Sequence, residues 1–111
     1  MAVGEIAVLK ETITLSATAT QYRGIQITGA AVSAAGAGYP AATGGASGDS
    51  IPVTLLGVAI GEAGAAVTAG AALEFDASGR YITRSAGITV GRALSAAPGA
   101  GAQIEVFVIP H

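Results

Sequence analysis

Apolar and polar residues alternate along several short segments of this chain, and glycine-rich turns separate the segments. The alternation is clear in segment 11–18, where Ile13 and Leu15 share one side, and in segment 102–109. Successive side chains of a β-strand point to opposite faces, so a period of two residues is typical of strands. The pattern therefore predicts a mainly β fold.

Turn residues join four of the predicted strands into two hairpins. The DASG turn predicts a hairpin between strands 72–76 and 80–83, and the AAPGAG turn predicts one between strands 88–94 and 102–109. Three further strands are predicted at 11–18, 23–28 and 51–60. The last is either one buried strand or two short strands bent at Gly57.

The length of 111 residues suits one domain, and the helix signal within it is weak. Gly61, Gly64 and Gly70 each cost about 1 kcal/mol relative to Ala inside a helix, so segment 61–72 is either a loop or includes one short helical turn near 63–67. We expect a small single-domain β-barrel or β-sandwich with long Gly/Ala-rich loops and at most one short helical turn.

Two regions are predicted to lie outside the regular strands. Residues 1–10 form either an N-terminal arm or the first strand of the β domain 11–111. Segment 29–50 carries no charge before Asp49 and is predicted to be a flexible loop, with Tyr39–Pro40 as its candidate anchor. An aromatic side chain there can pack the loop onto the domain or contact a partner.

A weak internal repeat relates GVAIGEAGAAV, which begins at Gly57, to GRALSAAPGAG, which begins at Gly91. Two interpretations stay open. One supersecondary shape, a strand followed by a small-residue turn and the next strand, is used twice, or the match is a coincidence in a chain rich in Ala and Gly.

The charge of the chain excludes several classes of function. Five basic and seven acidic residues give a formal net charge of −2, which is not the basic footprint that nucleic acid or an acidic membrane surface requires. Cysteine is absent, so neither disulfides nor thiolate metal sites can form. With no signal-peptide pattern and no strongly apolar span, we expect a soluble, unprocessed chain.

Reactive residues are few and dispersed. Glu74 and Asp76 share one face of a predicted strand, but a solvated face is favoured over catalysis because Arg80 across the turn is a simple ion-pair partner. The single histidine, His111, is the last residue, where a frayed end or a tag remnant is favoured. No phosphate-loop motif is present. We therefore predict a protein that is not an enzyme and uses no cofactor or metal.

Segment 67–109 contains a hairpin motif followed by a Gly- and Ala-rich strand motif. The residues of the two motifs are Val67, Gly70, Asp76, Gly79, Arg80, Gly91, Ala93, Leu94, Ala97, Gly101, Ile104 and Val106. In these motifs the segment resembles the phage capsid cement (head decoration) proteins, and strand segment 11–29 also suits the family.

The resemblance implies a viral structural protein on the outer surface of the phage capsid. Such a protein decorates the assembled head, binds across junctions of the major capsid protein, often as a homotrimer, and stabilises the shell without an active site. Segment 2–10 is then either a first strand or an arm that adds to a sheet edge of a partner. The predicted capsid or protomer contacts are Val3, Glu5, Ile6, Val8, Leu9, Lys10, Tyr39 and Pro40.

Two other hypotheses remain at this point. A glycan-binding tail or fibre module would be favoured if Tyr22, Tyr39 and Tyr81 cluster on one face. A small hydrolase or isomerase would need a pocket with polar groups converging around Glu74, Asp76 and Arg80.

Overall fold

The computed structural model describes residues 6–111, and this part of the chain forms eight β-strands and no helix. The mainly β, single-domain prediction is confirmed, and segment 63–67 is a loop. The strands are β1 (Ile6–Thr14), β2 (Gly24–Ile25), β3 (Tyr39–Pro40), β4 (Ser50–Glu62), β5 (Ala72–Phe75), β6 (Tyr81–Thr83), β7 (Gly91–Ala93) and β8 (Gln103–Val108).

Six strands form one antiparallel sheet in the order β1-β4-β8-β7-β5-β6, while β2 and β3 form a small second sheet. The large sheet is open in its pairing, with β1 and β6 at its edges. It nevertheless curls, because an isolated parallel bridge joins Tyr81 of β6 to Ala63 just after β4. The Gly64 amide donates to the Tyr81 carbonyl at 2.8 Å beside this bridge. The predicted class of barrel or sandwich holds in this broad sense.

The longest strand, β4, is continuous and pairs with two partners in succession. Its first part pairs with β1, from Ser50 opposite Thr14 to Val58 opposite Ile6. Its second part pairs with β8, from Gly57 opposite Val108 onward. Gly57 has a φ of 119°, a backbone conformation that favours glycine. Of the two alternatives for this segment, one strand that continues through Gly57 is therefore the one observed.

Both predicted hairpins are confirmed. Phe75 of β5 lies opposite Tyr81 of β6, and Ala93 of β7 lies opposite Val106 of β8. Both predicted strands 11–18 and 23–28 end earlier than expected, at Thr14 and Ile25, and β1 begins earlier, at Ile6. Beyond Thr14 the backbone bonds to loop carbonyls instead of a neighbouring strand. The Leu15 amide, for example, donates to the Asp49 carbonyl at 2.8 Å.

The core lies on the concave side of the curled sheet. One face of β8 contributes three buried side chains, and the first hairpin contributes the aromatic pair Phe75 and Tyr81, whose ring centroids lie 4.6 Å apart. The buried β8 residues are Ile104, Val106 and Val108. Tyr81 is fully buried, and its hydroxyl has no hydrogen-bond partner in residues 6–111.

The internal repeat coincides with the two strands that flank β8. Gly57 and Gly91 lie opposite Val108 from its two sides, and Ala59 and Ala93 lie opposite Val106 in the same way. Small residues on both neighbours leave space for the β8 valines. This arrangement favours the interpretation in which one supersecondary shape is used twice.

Gly91→Ala is expected to lower the free energy of unfolding by about 1–3 kcal/mol. A Cβ at Gly91 would lie 2.6 Å from the Phe107 carbonyl oxygen and 2.9 Å from Val106 Cγ1, and a strand carbonyl cannot move away cheaply. Urea denaturation followed by circular dichroism measures the change. Gly99→Ala is the matched control, because its Cβ meets no atom within 4 Å. Equal midpoints for the two variants would contradict the crowding argument.

Candidate functional site

The outer edge of the large sheet is formed by β1, whose side chains are unusually exposed. Ile6 is 72% exposed, Val8 is 71% and Leu9 is 47%, whereas Ile13 near the end of the strand is buried. Because β1 is the first strand of the sheet order, its second edge has no strand beside it in the described part of the chain. An exposed apolar edge strand offers both main-chain hydrogen-bonding groups and side chains to a partner.

A row of apolar side chains crosses the convex face of the sheet. Ile6 of β1 lies opposite Val58 of β4, and Val58 lies opposite Phe107 of β8. Residues directly opposite in a sheet share a face, so these three side chains are neighbours. Phe107 is 40% exposed, and Leu94, just beyond β7, is 46% exposed on the same face. We call Ile6, Val58, Leu94 and Phe107 the outer apolar row.

Of the outer apolar row, Ile6 was among the predicted contact residues, whereas Val58, Leu94 and Phe107 were missed. A signal for the row was nevertheless present, because segment 106–109, which follows Glu105, is apolar on both faces. One face of β8 packs into the core and the other is exposed, and the alternating pattern alone does not distinguish the two faces. The sequence could not reveal that Ile6, Val58 and Phe107 align, because residues far apart in sequence must first be paired.

The predicted contact residues fall into three groups. Ile6, Val8, Leu9 and Lys10 lie on β1 and are exposed. Tyr39 and Pro40 form β3 and are buried, so their side chains face the interior of the isolated chain. The remaining two, Val3 and Glu5, lie outside the described residues.

Tyr39 packs segment 29–50 onto the domain, and the partner that holds it is His111. The two rings stack with centroids 4.4 Å apart and an interplanar angle of 26°. The Tyr39 hydroxyl accepts from the His111 amide at 2.9 Å and donates to the His111 carbonyl at 3.1 Å. The prediction of a frayed end at His111 is therefore wrong, because stacking and hydrogen bonds fix this residue.

Glu74 has a structural role rather than the solvated one that we predicted. Its side chain is buried, and Oε1 accepts from the consecutive amides of Ser85, Ala86 and Gly87, all within 3.3 Å. The hydrogen bond from Ser85 is the largest of the effects that hold the pKa of Glu74 below its ordinary value, while burial opposes it. The carboxylate thereby closes the loop after β6.

The other ionisable candidates form a network that ties loops together. Arg80 Nε lies 3.4 Å from Asp76 Oδ2, which confirms the simple ion pair across the turn, and Arg80 Nη1 lies 3.8 Å from Glu62. Arg23 binds both Glu62 carboxylate oxygens, at 3.1 and 3.2 Å. Asp76 Oδ1 also accepts two amides of its own turn. Each group serves a neighbour, so the pocket that the hydrolase hypothesis needs is not formed by these residues.

The clefts of the described residues differ in their lining, and a small one of about 70 Å³ includes the polar side chains of Thr18, Thr20, Arg23 and Ser78. A larger one of about 160 Å³ lies between β3 and β4, and its lining is apolar except for Tyr22. Within residues 6–111, no group of three or more His, Asp or Glu side chains is placed to hold a metal ion. The same residues contain no helix that is long and apolar enough to cross a membrane.

Glu74→Gln is expected to lower the unfolding temperature at pH 7 by several degrees, and the difference should shrink in acid. A carboxyl whose folded pKa is lowered stabilises the fold above its unfolded pKa of about 4.3, and that contribution disappears as the pH falls through the folded value. Thermal melts at pH 7 and pH 3 measure this. Glu11→Gln, which removes an exposed carboxylate, controls for charge. A deficit of equal size at both pH values would refute the charge-based account.

Comparison with known proteins places this geometry in a family. No curated protein matches the chain in a sequence search. The family model described as phage cement protein matches residues 3–108, which includes the whole large sheet, its β1 edge and the outer apolar row. Because this match covers nearly the whole sequence, the chain belongs to the phage cement protein family.

Proposed function

We propose that this chain binds the outer surface of the assembled phage head, with the major capsid protein as its partner, and stabilises the head. Membership of the phage cement family carries the proposal. The exposed features of the described residues support it, because a free sheet edge and an apolar row suit contact with another protein surface.

The β1 edge is the first proposed contact. An extended strand of a capsid subunit or of a neighbouring copy would bond to its main chain, while Ile6, Val8 and Leu9 would supply apolar contacts. Lys10 follows on the same strand, and we propose that Val3 and Glu5 extend this contact toward the N-terminus. Main-chain bonding gives affinity, and the alternating side chains give specificity.

The outer apolar row continues this contact across the sheet. Ile6 belongs both to the β1 edge and to the row, so one partner surface can cover the two together. Arg92 lies opposite Phe107 and gives the far end of the row a charged margin. An apolar centre with a polar margin is the usual anatomy of a protein interface.

Segment 29–50 is the second proposed contact. The buried Tyr39 and Pro40 would act by fixing its course, while exposed residues of the same segment meet the capsid. We further propose that three copies assemble at threefold or quasi-threefold junctions of the shell. Many weak contacts then add up, because each bound copy raises the effective concentration of the next contact.

The glycan-binding alternative is not favoured by the tyrosines. Tyr39 is 6% exposed and Tyr81 is fully buried. The two rings therefore offer no exposed surface for stacking on a sugar, and the shared face with Tyr22 is not formed.

Binding to expanded, undecorated heads of the phage that encodes the chain tests the proposal. Wild-type protein should co-sediment saturably with these heads and raise their resistance to heat. Ile6→Asp should weaken binding about 10- to 100-fold, because burial of an isoleucine side chain contributes about 1.5–3 kcal/mol. Ile88→Asp is the matched control, since Ile88 is also exposed but lies in the loop before β7.

The possible outcomes test the cement function and the proposed β1 contact surface separately. Heads that neither bind the wild-type protein nor gain resistance would overturn the cement function. If the wild type binds and both variants bind equally well, the function stands and the β1 surface is wrong. Cryo-microscopy of decorated heads shows whether the bound copies form trimers.

A further inference from the structure

The ring of His111 is held in a defined protonation state by its contacts. The Gly38 amide donates to Nε2 at 3.0 Å, so this nitrogen carries a lone pair. Nδ1 lies 2.7 Å from the Ile109 carbonyl oxygen, which can only accept, so Nδ1 carries the proton. A histidine that accepts at one nitrogen and donates at the other is neutral.

Protonation of His111 is incompatible with one of these contacts. A proton on Nε2 would point at the Gly38 N–H, and two donors cannot share a hydrogen bond. The stack on Tyr39 tolerates a cation, because an aromatic face attracts positive charge. The loss therefore falls on the Gly38 amide, not on the ring pair.

The contacts of His111 hold a segment that is distant in sequence. Tyr39 and His111 are 72 positions apart, so their hydrogen bonds tie the third residue after β8 to the start of β3. Gly38 is closely packed, since a Cβ there would lie 2.6 Å from Val32. A second tie lies earlier in the segment, where the Ala35 amide donates to the Phe75 carbonyl at 2.8 Å.

Few other titratable groups enter this contact. The groups that meet the His111 ring come from β3, from Gly38 before it and from Ile109 after β8, and Tyr39 is the titratable side chain among them. The main-chain oxygen of His111 accepts from the Tyr39 hydroxyl. Several charged side chains have partners elsewhere in the fold: Arg23, Asp49, Glu62, Glu74, Asp76, Arg80, Arg84 and Arg92.

We propose that His111 is a pH-sensitive latch on the Gly38 amide, just before β3. In its neutral form it fixes this amide and the Tyr39 ring close to β8. In its protonated form it releases the Gly38 amide, while the ring stack, the pairing of Tyr39 with Ile25 and the large sheet stay in place. The inference rests on these contacts alone and does not require that the chain binds a capsid.

Amide hydrogen exchange of the full ¹⁵N-labelled chain tests the latch. Between pH 8 and pH 5, the protection factor of Gly38, corrected for the intrinsic exchange rate, should fall about 2- to 10-fold, the value of one hydrogen bond. Val106 in the core strand should keep its protection.

Variants separate the latch from a general loosening by acid. His111→Gln, which cannot titrate, should abolish the pH step, and His111→Ala should leave Gly38 poorly protected at every pH. Tyr39→Phe should reduce the protection of Gly38 at pH 8, because the ring loses both hydroxyl bonds to His111. Tyr81→Phe is the matched control and should keep the wild-type pH step, since its hydroxyl bonds to no described residue.

Two results would overturn the latch. One is a Gly38 protection factor in the wild type that is the same at pH 5 and pH 8. The other is a pH step that persists unchanged in His111→Gln. Neither measurement uses phage heads, so failure of the latch and failure of the cement function are independent outcomes.

Discussion

The fold depends on β4, which is shared by two partner strands. Its first part holds β1 and its second part holds β8, and the exchange occurs at Gly57 and Val58. At Gly57 the backbone adopts a φ of 119°, which only glycine accepts without strain. If this strand broke in two, β1 would separate from the core and the outer apolar row would lose its first member.

Local pattern was sufficient for some elements and insufficient for others. The two hairpins were predicted because a turn and two alternating strands lie next to each other in sequence. The pairing of β1 with β4 joins residues up to about fifty positions apart, and nothing within either segment encodes the partner. For the same reason the alignment of the outer apolar row and the His111–Tyr39 contact were missed, since both exist only once distant segments meet.

The sparse charges of this family member serve its loops. In a chain with so many Gly and Ala residues, loops have few side chains that can pack, and hydrogen bonds to carboxylates replace them. Glu74 accepts hydrogen bonds from three amides of one loop, and Glu62 forms ion pairs with both Arg23 and Arg80. Glu62 and Glu74 of this phage cement protein therefore have a structural role, because their carboxylates bind loop backbone and arginines.

The bridge between Ala63 and Tyr81 has a consequence for how copies can associate. An open sheet with two unpaired edge strands can bind a further strand on each side and grow into a fibre. Here the β6 edge is short and Tyr81 in it is bridged to Ala63, just after β4. The long unpaired edge among the described residues is therefore β1. Within residues 6–111 the sheet therefore offers a long free edge for strand pairing on the β1 side and a short, partly bridged edge on the β6 side.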